Sequence, residues 1–100
     1  MDKNILELVI FEIREDVSDE QFIHLFQKLN TVLKRNINGF VKRSLTKDMT
    51  QNKWVEMIWW ESMHKAHLAL EKLPQFTEFK QYCSVIKDDS TLMYYLEQRQ

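Results

Sequence analysis

The sequence predicts an α+β domain with one four-stranded antiparallel sheet and two helices on one of its faces. Three observations carry that prediction. Strand-like and helix-like patterns follow one another in the order β-α-β-β-α-β. Gly39 and Pro74 are the sole glycine and proline, so most of the chain is free to form regular structure. The first and third predicted strands are apolar on both alternating faces, so each needs cover on both sides.

Residues 5–14 form the first predicted strand, too short for a typical helix and rich in β-branched residues. Ile5, Val9, Phe11 and Ile13 share one face; Leu6, Leu8 and Ile10 share the other. Ser18 followed by Gln21 makes a capping-box pattern, and a helix is predicted from there to about Arg35. Its apolar stripe is Phe22, Leu25, Phe26, Leu29, Val32 and Leu33. Gly39 can take the left-handed conformation that ends the segment. The second strand spans Phe40 to about Lys47, with Phe40, Val41 and Leu45 as its apolar members. Residues 48–52 read as a hairpin connection, and Lys53 to Trp60 as the third strand. Ser62 caps a second helix whose Met63, Ala66, His67, Leu70 and Leu73 share a face. Pro74 interrupts or restarts it, and Phe76, Phe79, Tyr82, Cys83 and Ile86 continue an apolar stripe. Asp88 to Ser90 is a turn, and Thr91 to Glu97 is the last strand.

This order is the split βαβ, ferredoxin-like arrangement. It covers one sheet face with helices and leaves the other bare. A bare apolar face favours packing against an identical sheet, so a homodimer is expected. Residues 1–100 read as one domain. A chain this short buries a little over ~60% of its unfolded surface, enough for one core. The formal net charge of −1 argues against nucleic acid as a partner. No apolar run is long enough to span a membrane. The N-terminus lacks a signal-peptide pattern, and the lone Cys83 fits a reducing, cytoplasmic setting. There is no P-loop, dinucleotide fingerprint, nucleophile elbow or zinc spacing. No cofactor and no metal are expected.

The stretch Trp59 to Leu68, followed by Pro74 to Phe79, resembles the dimeric α/β-barrel proteins and, among them, the antibiotic-biosynthesis monooxygenase-like members. Trp60, Ser62, Ala66, His67, Leu68, Pro74, Phe76 and Phe79 carry the resemblance. Gln75 stands where the family pattern has a second histidine. The resemblance implies a dimeric α/β barrel with a pocket between helices and sheet for a flat aromatic substrate. It also implies oxygen chemistry without a cofactor, in which the substrate anion itself reacts.

His67 is the expected catalytic residue. From the face it shares in the helical pattern, a neutral imidazole could act as a base; the plainer reading is a buried histidine satisfied by a backbone carbonyl. Glu7 and Glu56 interrupt apolar strands away from their ends. A carboxylate facing the interior would have a raised pKa and could serve as acid or base; the plainer reading pairs it with Lys42, Arg43 or Arg14. Trp54, Trp59, Trp60, Phe76 and Tyr94 complete the expected ligand-binding set, with packing as the competing role. Cys83 reads as a small buried hydrophobe.

Two functional readings of different kinds stay open. One is a homodimer that binds a small aromatic or quinone-like molecule and oxidises it as a cofactor-independent monooxygenase. The other is a non-catalytic binding or regulatory module on the same fold. A third arrangement docks a different protein on the bare sheet face.

Overall fold

The computed structural model describes residues 4–100. Met1, Asp2 and Lys3, on which part of the N-terminal reading rests, lie outside the described residues. The elements are β1 (Ile5–Phe11), α1 (Asp19–Asn36), β2 (Phe40–Asp48), β3 (Lys53–Trp60), α2 (Met63–Lys72), a 3₁₀ turn (Leu73–Gln75), α3 (Thr77–Ser84) and β4 (Leu92–Glu97). The strands pair antiparallel in the order β2-β3-β1-β4. This is the predicted ferredoxin-like α+β sheet. Pro74 divides the second predicted helix, sitting in the first turn of the 3₁₀ segment where its missing N–H costs nothing.

The first strand is shorter than predicted. Beyond Phe11 the chain stays extended, but its partners change. Glu12 O accepts from Lys87 N at 2.8 Å, Ser90 Oγ lies 3.1 Å from Glu12 N, and Ile13 bridges Ile86. The connection between α3 and β4 takes over the role of the neighbouring strand.

One sheet face carries Val9, Phe11, Trp54, Ile58 and Trp60, and all of these are buried. Phe22, Leu29, Val32 and Leu33 of α1, Ala66 and Ala69 of α2, and Tyr82 of α3 pack on it to form the core. Phe22 is the hub: its ring meets Phe11, Trp54 and Tyr82 at centroid distances of 5.5, 5.0 and 5.1 Å. Such ring pairs add about 0.5–1.5 kcal/mol each beyond burial. The opposite face presents Leu6, Leu8 and Ile10, Val55, Met57 and Trp59, and Leu92, Tyr94 and Leu96. Leu92, Tyr94 and Leu96 are large and exposed.

β2 contains the feature that shapes the interior. Phe40 pairs with Trp60, yet Lys42 pairs with Trp59, so two residues on β2 oppose one step on β3. This bulge reverses the alternation after Phe40. Lys42 consequently turns to the outer face, its Nζ 4.6 Å from the Trp59 ring centroid. Arg43 and Leu45 turn inward beneath the helices, opposite Ile58 and Glu56.

Candidate functional site

Between the helices and the sheet lies a cavity of about 340 Å³, within the range that holds a small molecule. Val9, Phe11 and Ile58 of the sheet contribute its apolar floor, and Leu29 and Leu33 of α1 one wall. Leu70, Leu73, Phe79 and Cys83 line the opposite side, and Met93, with the loop residues Lys87, Asp88, Asp89 and Thr91, surrounds the mouth. Set into this apolar surface is a polar group of five residues: Glu7, Arg43, Glu56, Trp60 and Tyr82.

The strand pattern brings the two carboxylates together. Glu7 pairs with Ile58, and Glu56 pairs with Val9, so Glu7 and Glu56 are diagonal neighbours on the helix-facing side. Both are about 5% exposed or less, but their environments differ. Glu56 is fully engaged. Arg43 Nε donates to Glu56 Oε2 at 2.7 Å, and Tyr82 OH donates to Oε1 at 2.7 Å. Arg43 Nη2 lies 2.7 Å from the same Oε2, off-axis for a hydrogen bond of its own. The guanidinium is anchored further by Nη1 donating to the Phe26 carbonyl at 2.7 Å and by stacking 3.7 Å over the Phe26 ring. With its side chain only 1% exposed, Arg43 forms a charge-assisted lock joining β2, β3, α1 and α3.

Glu7 has no cation within ion-pairing distance among the described residues. Its Oε1 accepts from Trp60 Nε1 at 2.9 Å, whereas Oε2 has no donor among the described residues, and the residue lines the cavity. Burial pushes the Glu7 carboxyl above its ordinary value. The Trp60 bond and Arg43 pull against this, and the neighbouring Glu56 charge adds to it. Tyr82 is held well above the usual phenol range, mainly by burial and then by Glu56, so it remains a hydroxyl donor. The two carboxyl groups of the cavity thus have different surroundings: Glu56 is held by Arg43 and Tyr82, and Glu7 is pushed by burial toward its protonated form. Across β1 from Glu7 stands Tyr95, whose hydroxyl is buried without a partner among the described residues. Burial and the Glu7 charge raise its pKa. Among the described residues no three His, Cys, Asp or Glu side chains converge on a metal-sized site.

The expected site residues thus divide. Glu7, Glu56 and Trp60 meet at the cavity. Trp54 is buried against Phe22, away from the lining. Phe76, half-buried at the start of α3, packs against the core. Trp59 and Tyr94 lie on the opposite sheet face. His67 is exposed instead of buried, its ring 6.0 Å from that of Tyr95. The reason is the line Ala66, Ala69 and Leu73, which α2 presses onto the sheet; the next residue along is turned about 100° off that line. Cys83 is also exposed, because it lines the open cavity, and burial followed by the Glu56 charge raises its thiol pKa. Arg43 and Tyr82 are the participants not picked out as site residues. Arg43, one of the cations with which the plainer reading pairs these carboxylates, makes that pair with Glu56 in the interior.

No family model and no curated protein matches the sequence. Solved structures do match over nearly the whole length. The cofactor-independent oxygenase SnoaB from Streptomyces nogalater superposes with a TM-score of 0.79 at 15% identity, covering 98% of this chain and 95% of that one. A monooxygenase from the gene ActVA-Orf6 of Streptomyces coelicolor, solved in complex with the ligand nanaomycin D, superposes with a TM-score of 0.75 at 14% identity. It covers 98% of this chain and 89% of the other. The chain therefore has the fold of the antibiotic-biosynthesis monooxygenase-like proteins. No helix among the described residues is long and apolar enough to cross a membrane.

Proposed function

We propose that this protein is a homodimer that takes a small aromatic or quinone-like molecule into the helix–sheet cavity and oxidises it with molecular oxygen, using no cofactor. The observation that carries this reading is the largely apolar cavity lined by Glu7, whose Oε2 has no donor among the described residues. Supporting it are the fold shared with SnoaB and with the nanaomycin D complex. The lone cysteine supports a cytoplasmic setting.

In its ionised form Glu7 would accept the phenolic proton of the bound ring, with Trp60 holding Oε1 so that Oε2 does the work. The apolar walls would keep water from the resulting anion. That anion reduces oxygen. At a ring CH₂, one oxygen atom becomes the new carbonyl, and the other leaves as water with the two hydrogens. The test is oxygen uptake with hydroxylated naphthalenes and anthrones in metal-chelated buffer. Wild type should consume oxygen at a rate reduced about 10²-fold or more in Glu7→Gln. Equal rates for the two proteins would remove Glu7 from the reaction.

The non-catalytic reading is favoured by one observation: His67, the residue matched to the family pattern, is exposed and outside the cavity lining. It predicts that such compounds bind and are recovered unchanged after prolonged incubation in air.

A further inference from the structure

Arg43 and Glu56 neutralise each other inside the cavity before any ligand arrives. Among the described residues Arg43 and Lys87 are the cations that line it, and Arg43 is committed: Nε and Nη2 lie on Glu56 Oε2, and Nη1 on the Phe26 carbonyl. Lys87 belongs to the loop that also brings Asp88 and Asp89 to the cavity. Glu7 lines the interior with one oxygen unbonded and no cation paired to it among the described residues. A ligand carboxylate beside Glu7 and Glu56 would face two carboxyl groups with the nearby guanidinium of Arg43 already committed to Glu56, and burying an unpaired anion is costly. A neutral hydroxyl meets none of this repulsion and can hydrogen-bond Glu7 Oε2. We propose that the Arg43–Glu56 pair is a specificity determinant, making the cavity select an uncharged ring bearing a hydroxyl and reject the same ring bearing a carboxylate. This rests on the cavity being the ligand site, but not on any oxidation taking place there.

The pair also defines how the selection could be reversed. Replacing Glu56 by glutamine keeps an acceptor for Tyr82 and removes the negative charge that Arg43 neutralises. The guanidinium would then carry an uncompensated positive charge beside the cavity, and an anionic ligand would become the better guest.

Calorimetric titration without oxygen tests this with four probes of similar shape: naphthalene, 2-naphthol, 2-naphthoate and 2-naphthylmethylamine. Wild type should bind 2-naphthol about tenfold more tightly than naphthalene and 2-naphthoate. Glu7→Leu should bring 2-naphthol down to the affinity of naphthalene, which itself should change little. Glu56→Gln should gain about tenfold for 2-naphthoate. The proposal is overturned if wild type binds 2-naphthoate as tightly as 2-naphthol, if the amine binds most tightly, if no probe binds, or if a folded Glu56→Gln gains nothing for the carboxylate. The ranking in wild type stands as a test even if the variant fails to fold. Selective binding of 2-naphthol with no oxygen uptake in air would sustain this inference and end the oxygenase reading. Oxygen uptake with carboxylates accepted equally would do the reverse.

Discussion

Glu7 and Glu56 are the same residue type on adjacent strands, yet their surroundings differ. Glu7 is raised chiefly by burial. The folded chain therefore holds that proton more tightly than the unfolded chain does. Its contribution to stability is fully present below the ordinary carboxylate range and is lost as pH rises through the raised value. Thermal melts from acid to mildly alkaline pH should show this loss in wild type and a flatter profile in Glu7→Gln. An identical slope in both proteins would mean that Glu7 is not the group responsible. Arg43 behaves differently because its partner is locked. Arg43→Met alone leaves the Glu56 charge buried and should cost about 3–5 kcal/mol. Adding Glu56→Gln removes that charge while keeping an acceptor for Tyr82, and should recover more than half of the loss. Urea denaturation of the two variants separates the cost of an orphaned charge from the worth of the pair.

The ends of α1 show how elements are set by local chemistry. At its start Ser18 Oγ accepts from Gln21 N at 3.1 Å, while Gln21 Oε1 accepts from Ser18 N at 2.8 Å. Two orphan donors are satisfied reciprocally. Just beyond its far end, Gly39 has φ +90°, and a Cβ there would stand 2.5 Å from Lys65 Cβ, an atom fixed by the α2 backbone. Ser18→Ala should lower stability by about 0.5–2 kcal/mol. Gly39→Ala, which meets both an unfavourable backbone region and a clash, should cost on the order of 1–3 kcal/mol. Denaturant midpoints at one pH compare them; a neutral Gly39→Ala would show that the turn relaxes. The bulge in β2 works at this same scale. It places Phe40 and Leu45, an odd number of positions apart, on one face and delivers Arg43 to the interior.

For the molecule as a whole, the sheet face opposite the helices is a broad apolar surface. Leu92, Tyr94 and Leu96 on β4 are each more than two-fifths exposed, and Trp59 and Met57 share that face. An apolar face of this kind is expected to meet a second copy. Light scattering should report two chains for wild type and one for Tyr94→Lys, with helical circular dichroism preserved. A wild-type monomer would leave that face to a different partner. Because the cavity lies on the opposite side of the sheet, a monomeric Tyr94→Lys should still bind 2-naphthol, provided that the partner chain supplies no part of the site.

Local patterns in the sequence determine most of the fold. The Ser18–Gln21 and Ser62 caps, Gly39 and Pro74 depend on a few neighbouring residues, and each is found where it was expected. The interruption of two apolar strands by Glu7 and Glu56 was legible for the same reason. What tertiary structure alone decided is which side chains face the cavity. That depends on helix rotation and strand register, which sum contributions from distant elements. The small residues Ala66 and Ala69 seat α2 so that His67 turns outward, although its helical pattern fits the apolar stripe. One extra residue in β2 exchanges Lys42 for Arg43 in the interior, and a single-position shift of that kind leaves no mark on composition or periodicity.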